Sequence, residues 1–346
     1  MATIKDVARL AGVGLGTASR VVSGKGSVSP ATLEKVRKAI DELGFRPSHA
    51  ARALLSGTSR MVGVYIPVLS GTFYTPILQI IDTELRAAGL HMVVAFGVGL
   101  GDARRQAMEG IEFLIERGCD GIIMMTSALA DEDLASLGAK QQIVALNHEF
   151  SAIPEQCFTV DHVLGGRLAA RTLLDYRHRD IAVISGPAAL SDNVARVSGF
   201  MRELEEGGID TSKLWVAESD FSPAGGWAAA KELIESGHKC SALFCANDEM
   251  AVGALSYFQE AGISVPRDLS VIGYDDTPSA AFSAPRLTSV HMPWREMTLN
   301  GINALLNRCY DLQRPVARTF PVTVTLRASL AQLDAPAAKG SRSRKK

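Results

Sequence analysis

Paired cysteines are absent from this sequence. Its 346 residues hold five cysteines, Cys119, Cys157, Cys240, Cys245 and Cys309, an odd number with no C-x-x-C spacing. That pattern argues against a disulfide framework, a zinc site or a redox motif, and for a reducing compartment with no structural metal. An uninterrupted apolar span is missing too. Residues 61–81 carry no charge, but Pro67, Ser70-Gly71-Thr72 and Pro76 divide them into strand, turn and helix start. No membrane segment is expected. The opening Met1-Ala-Thr-Ile-Lys-Asp6 puts an acid where a secretory signal would be apolar, so a cytoplasmic location is expected. Catalytic signatures are lacking as well: there is no G-x-S-x-G, Walker A or H-E-x-x-H. Gly97-Val-Gly-Leu-Gly101 follows a strand candidate, as a dinucleotide site would, without the G-x-x-G spacing. Asp275-Asp276, adjacent at a strand exit, would point to opposite sides and make a poor acid–base pair. The expectation is a protein that is not an enzyme and has no cofactor, with a nicotinamide-dependent enzyme as the alternative.

What is present is length and a 47% hydrophobic composition, enough at roughly 150 residues per domain for two to three compact units with their own cores. The net charge of −1 conceals an asymmetry. Residues 1–60 hold ten Lys and Arg against four acids, a net of +6, and residues from 331 onward hold five against one, a net of +4. The 270 residues between carry 21 basic and 32 acidic side chains, a net of −11. A basic head on an acidic body suggests a polyanion-binding module fused to something else.

Along the head, Thr3 can cap a helix over Ile4 to Leu10, and Ala11-Gly12-Val13 makes the tight break to a second helix at about 15–22. That helix turns Ala18, Val21 and Val22 inward and leaves Leu15, Gly16, Thr17, Ser19 and Arg20 more exposed. A third helix runs from Ser29-Pro30, a cap followed by proline at the first helical position, to Leu43, closed by Gly44. Three short helices with a basic surface make a helix-turn-helix unit. Past Arg60, apolar runs alternate with amphipathic helices. Strands are expected at Val62–Pro67, His91–Phe96, Gly121–Met125 and Ile143–Leu146, and again at Ile181–Ser185, Leu214–Ala217, Ala242–Cys245 and Ser270–Gly273. Two such series in tandem imply two similar α/β lobes, each a doubly wound parallel sheet, with a ligand cleft between them at the carboxyl ends of the strands.

The segments Thr3-Ile-Lys-Asp-Val-Ala-Arg-Leu-Ala-Gly-Val13, Thr17-Ala-Ser-Arg-Val21, Val28-Ser-Pro-Ala-Thr32 and Glu42-Leu-Gly-Phe-Arg-Pro47 resemble the DNA-binding head of the lactose/galactose repressor family (LacI/GalR). Ala246-Asn-Asp-Glu-Met-Ala251 and Val271-Ile-Gly-Tyr-Asp-Asp276 extend the likeness to about residue 330, and Ser191-Asp192 is similar to the galactose-repressor-like branch. The resemblance implies a helix-turn-helix head at 1–46, a hinge helix and linker at 47–60, a two-lobed body like the periplasmic binding proteins at 61–330 and a disordered basic tail at 331–346. It further implies a homodimer on a two-fold symmetric operator in double-stranded DNA, controlled by a small sugar effector and acting as a repressor of carbohydrate genes.

Its residue-level implications are specific. Thr3, Leu15, Gly16, Thr17, Ser19, Arg20, Ser29, Ala51 and Leu54 match DNA-contacting positions, with Leu15, Gly16 and Arg20 as base readers and Arg20 able to fork onto guanine. Leu54 takes the place of the minor-groove wedge, or else packs against the body. The family's usual Ser at 14 and Val at 18 are Gly14 and Ala18 here, and Gly16 lowers helix propensity by roughly 1 kcal/mol, so readout opposite it should be loose. For the effector, Phe73, Tyr74 and Phe221 offer rings. Asn147, Asp192, Arg196, Asn247 and Asp275 offer polar groups, although Phe73 could equally belong to the core. The purine-binding branch has an arginine where this chain has Leu190. A sugar-binding transport protein would fit the body but not the basic head.

Overall fold

The computed structural model describes residues 2–23, 27–45, 57–98, 101–139 and 141–334. Ala51, Leu54 and the rest of the expected hinge helix lie outside the described residues, as do Leu100 of the glycine run and the tail from 335.

The head is α1 (Ile4–Ala11), α2 (Leu15–Ser23) and α3 (Pro30–Leu43). A capping box starts α1. Thr3 Oγ1 accepts from the Asp6 N–H at 3.4 Å while Asp6 Oδ2 accepts from the Thr3 N–H at 2.9 Å. Gly12, in the left-handed region at φ 66°, ends it. With glycine at 14, α2 has no side-chain cap; the Gly14 carbonyl alone takes the Thr17 and Ala18 N–H groups. Ser29 caps α3, accepting from Thr32, and Gly44 closes it. The core is small: Val7, Val36 and Ala39, with Ala11, Val13, Val21, Ile40, Leu43 and Phe45 packed against them.

The first lobe alternates β1 (Met61–Ile66), α4 (Tyr74–Ala87), β2 (His91–Phe96), α5 (Ala103–Glu116), β3 (Gly121–Met124), α6 (Asp131–Gly138), β4 (Ile143–Leu146) and β5 (Cys157–Phe158). All five strands are parallel, in the order β2-β1-β3-β4-β5. The second lobe continues with α7 (His162–Asp175), β6 (Ile181–Ser185), α8 (Ser191–Glu206), β7 (Trp215–Glu218), α9 (Pro223–Glu235), β8 (Ala242–Cys245), α10 (Asp248–Glu260), β9 (Ser270–Asp275), α11 (Pro278–Phe282) and β10 (Thr288–His291). After β10 come α12 (Trp294–Tyr310) and β11 (Thr323–Thr325). The second sheet is ordered β11-β10-β9-β8-β6-β7, parallel except for β11 on the edge.

Three features differ from the sequence expectation. Strands β5, β10 and β11 are additional. Two of them are two or three residues long, and β10 carries buried Thr288 and Ser289, whose polar groups are satisfied from Ser329 and by Asp248, so no apolar run marks it. The lobes are not simply in tandem, because α12 returns to cover the first sheet, with Gly301 against Leu146 and Leu305 against Gly121. The chain therefore crosses between lobes three times. Finally, the tail does not begin at 331. The Ala331 N–H donates to Ser270 Oγ at 3.0 Å, its carbonyl accepts from His178 Nε2 at 3.0 Å, and the Leu333 N–H reaches the Tyr176 carbonyl at 3.1 Å.

Helices α7 and α8 approach through reciprocal glycines. A Cβ on Gly166 would overlap the Arg196 carbonyl, and one on Gly199 would overlap the Val163 carbonyl. Neither obstruction is a flexible side-chain end, so the helices would have to separate. We expect Gly166→Ala to destabilise the body by about 1–3 kcal/mol, read from urea unfolding. A midpoint identical to wild type would mean the pair has slack.

Candidate functional site: a polar cleft and an exposed helix

The carboxyl ends of both sheets face a common cleft, and the segments leaving β1, β3, β4, β6, β7, β8 and β9 all contribute to a cavity of about 330 Å³. All eight residues expected at the effector site line it: Phe73, Tyr74, Asn147, Asp192, Arg196, Phe221, Asn247 and Asp275. Backbone strain gathers here as well. Asn147, Phe221 and Asp275 take left-handed φ values of 68°, 65° and 103°, a conformation that side-chain-bearing residues adopt only where the surroundings compel it.

At the centre is Arg196, from the second turn of α8, with a side chain only 3% exposed. It donates from Nη1 to the Ala246 carbonyl at 2.8 Å and from Nη2 to Asp192 Oδ2 at 2.9 Å. Asp275 Oδ1 stands 3.4 Å from Nη1, close enough to pair as a charge but not aligned as a hydrogen bond. The guanidinium carbon lies 4.3 Å from the Tyr274 ring centroid and 5.8 Å from that of Phe221. Burial opposes the charge on Arg196, but Asp275 and Asp192 more than compensate and raise its pKa. Asp192 is likewise disfavoured as an anion by burial, yet Arg196 and the imidazoles hold its pKa low. Burial dominates at Asp275, whose pKa is pushed well up against the pull of Arg196.

Four buried polar atoms around this cluster have no hydrogen-bond partner among the described residues: Arg196 Nε, Asp192 Oδ1, Asp275 Oδ1 and His148 Nδ1. A bound molecule rich in hydroxyls would satisfy them, because each hydroxyl both donates and accepts.

Other expected residues serve the scaffold as well. Asn247 caps α10, accepting from the Met250 N–H at 2.9 Å, while its amide donates to the Phe221 carbonyl at 3.0 Å and holds the turn that aims the ring. Asn147 Oδ1 lies 3.0 Å from His162 Nε2, and His162 Nδ1 lies 3.2 Å from the Tyr274 hydroxyl. Neutral His162 thus joins the lobes by donating to Asn147 and accepting from Tyr274. Phe73 both lines the cavity and stacks edge-on against Trp294, at 4.8 Å between centroids. Asp276 turns away from the cavity to Arg327, Thr325 and His291. Sequence reasoning missed His148, His162 and Glu249, whose carboxylate bridges the lobes by accepting from Thr72. His148 adjoins Asn147 just beyond an apolar strand end and could have been found; nothing local marks the other two.

On the head, α2 presents Arg20 and Gly16 outward, with Leu15 47% exposed and Thr17 and Ser19 half-buried. No neighbour stands within 4 Å of a Cβ at Gly16. Thr3 and Ser29 are exposed, but their hydroxyls are engaged as caps.

Burial lowers the His148 pKa to about 4, so the folded imidazole stays neutral where an unfolded one, near 6.5, takes up a proton. Acidification through that window therefore favours unfolding. We expect His148→Gln to lose less stability than wild type between about pH 7 and 5, by at most about 2 kcal/mol. Equal losses in urea melts would show the imidazole to be solvated.

Among the described residues no helix is long and apolar enough to cross a membrane. Residues 3–48 match the family described as bacterial regulatory proteins, lacI family, and residues 170–330 match a periplasmic binding protein-like domain. The HTH-type transcriptional repressor PurR of Vibrio atlanticus is 35% identical over 90% of this chain and 93% of its own. The HTH-type transcriptional regulator GalS of Salmonella typhimurium is 33% identical over 86% of this chain and 87% of its own. Overall identity thus does not separate the galactose branch from the other. Among solved structures, a LacI-family regulator from Burkholderia phymatum is 50% identical, covers 78% of this chain and 99% of its own, and has a TM-score of 0.76. The lac repressor dimer bound to operator and the anti-inducer ONPF is 27% identical with a TM-score of 0.81, covering 95% and 99%. A LacI-family regulator from Enterococcus faecium with bound ribose is 28% identical with a TM-score of 0.69, covering 79% and 100%. These likenesses displace the nicotinamide-enzyme and transport-protein alternatives, and the chain belongs to the lacI family of bacterial DNA-binding transcriptional regulators.

Proposed function

We propose that this regulator is a cytoplasmic homodimeric repressor of carbohydrate genes, bound to a two-fold symmetric operator and controlled by a neutral sugar. The observation that carries the effector reading is the set of four buried polar atoms without a hydrogen bond, on Arg196, Asp192, Asp275 and His148, which with the Phe221 ring line a cavity of about 330 Å³. A ring can stack on an apolar sugar face while carboxylates and a guanidinium take its hydroxyls. Charge argues against a phosphorylated sugar. Arg196 is already flanked by Asp192 and Asp275, and His148 is neutral, so among the described residues the lining has no free cation for a phosphate. Leu190, also in the lining, offers no polar group to a purine. The ribose held by the Enterococcus faecium relative supports the same ligand class.

The division into head at 1–46, hinge and linker at 47–60 and body from 61 fits the helices and lobes. The body then runs to at least Leu333, leaving a shorter basic tail. Leu54 is assigned the minor-groove wedge. Dimerisation is supported by the dimeric lac repressor and by exposed apolar side chains on both lobes, Leu69, Phe96 and Val98 on the first and Phe282, 88% exposed, on the second. In the head, Arg20 is the guanine reader, with Leu15, Thr17 and Ser19 beside it. Gly16 leaves an unread gap.

Arg20→Ala should lower affinity by about 1–3 kcal/mol for the cognate base and relax specificity there, whereas Lys35→Ala on α3 should weaken all sequences alike. Competition binding on substituted operators separates the two, and a sequence-independent loss for Arg20→Ala would return it to phosphate contact. For the effector, a thermal-shift screen over neutral sugars, sugar phosphates and purine bases should stabilise the protein only with a neutral sugar. Asp275→Asn and Arg196→Lys, which keep the charge balance or volume close, should reduce affinity for that sugar about tenfold or more while DNA binding persists. Calorimetry showing wild-type affinity in both would put the site elsewhere.

A further inference from the structure

The carboxylate of Asp120, at the turn into β3, collects hydrogen bonds from two distant parts of the chain. It accepts from the Ser59 N–H at 2.7 Å, the Ser59 hydroxyl at 3.0 Å and the Arg60 N–H at 2.8 Å, within the linker that joins the head to β1. Arg60 is held from the other side too, donating from Nε and Nη2 to the Gly89 carbonyl at 3.0 and 2.8 Å. The fourth donor is the hydroxyl of Tyr310, the last residue of α12, at 2.6 Å. The neighbouring Cys309 thiol donates to the Asp120 carbonyl at 3.2 Å.

The other end of α12 is at the effector cavity. Trp294, its first residue, meets the cavity-lining Phe73 ring edge-on. Between the two ends, Ile302, Leu305 and Leu306 are buried in the core shared with β1 and β4. A helix of 17 residues spans about 25 Å. One continuous rod therefore touches the cavity wall at its start and, through Asp120, reaches the linker at its finish.

We propose that Asp120 and Tyr310 form a clamp that couples the state of the cavity, through α12, to the placement of the linker carrying the DNA-binding head. This rests on reading the cavity as the effector site and the head as the DNA site. A displacement of Phe73 by ligand presses on Trp294. Because α12 is hydrogen-bonded along its length and close-packed, it transmits that displacement as a rigid body. Tyr310 then moves the carboxylate that fixes the Ser59 and Arg60 N–H groups, and with them the direction in which the chain leaves the body. Both are positioning residues, outside the cavity lining and outside the head. Linkage requires the converse: operator binding must be felt at Trp294.

The converse supplies a test that needs no small ligand. The full chain, labelled with 5-fluorotryptophan, has three tryptophans, and Trp294→Phe assigns the resonance of interest in a fluorine NMR spectrum. The probe is an operator duplex selected in vitro against the wild-type chain. Saturating duplex should shift the Trp294 resonance in wild type. Tyr310→Phe removes only the hydroxyl and should bind the same duplex within about threefold while losing at least about half of that shift. Asp120→Asn keeps an acceptor but not the charge and should behave likewise. A Trp294 resonance unmoved by operator in wild type, or a shift kept in full by both variants, overturns the proposal. A cavity that later binds no sugar would overturn the effector reading and leave the clamp standing.

Discussion

A guanidinium taken out of water has to be matched by charges and acceptors, and the body of this protein is arranged around meeting that condition at Arg196. Asp192 one turn earlier on α8, Asp275 at the end of β9 and the Ala246 carbonyl at the end of β8 come from three separate elements of the second lobe. Tyr274 supplies a ring face, and its hydroxyl is oriented by His162, which in turn reads Asn147 of the first lobe. The match is incomplete: Arg196 Nε, Asp192 Oδ1 and Asp275 Oδ1 are left without a hydrogen bond, on residues that line the cavity.

That arrangement depends on backbone as much as on side chains. Reciprocal contacts at Gly166 and Gly199 set how deeply α8 sits, and hence where Asp192 and Arg196 project. The left-handed conformations of Asn147, Phe221 and Asp275 aim three cavity residues from strand ends that would otherwise direct them elsewhere. The Asn247 side chain holds both the start of α10 and the Phe221 turn, so one amide fixes two walls. Strain of this kind is sustained by the close-packed lobes beneath, whose inner strands are buried.

The head follows different physics. Its core is a few small side chains, and its geometry rests on local devices: a capping box at Thr3 and Asp6, glycine stops at 12 and 44, and a serine cap before Pro30. Each acts over three or four residues, so the head reads almost completely from its sequence. In α2, Gly14 and Gly16 leave the helix that carries Arg20 without a side-chain cap and without a side chain at 16, as the sequence already shows.

The alternation of apolar strands and amphipathic helices was legible because parallel strands buried on both faces must be continuously apolar. Among the described residues eight of the eleven strands stood out as apolar runs, six of them inner strands and two, β2 and β7, at the sheet edges and partly exposed. The eight cavity residues were legible by resemblance, and the lobes bring them together around one space. The long-range pairings were not: His162 with Asn147, Glu249 with Thr72 and Tyr310 with Asp120 act across 15, 177 and 190 residues of chain, and no local period records such a distance. The return of α12 to the first sheet and the polar strand β10 were hidden for the same reason. Sequence alone determined the element types, the caps and the basic head, since those follow from neighbours within a turn or a strand. Only the tertiary structure decided which polar atoms pair and which stay open to the cavity, because satisfying a buried charge depends on groups that folding alone brings within 3 or 4 Å.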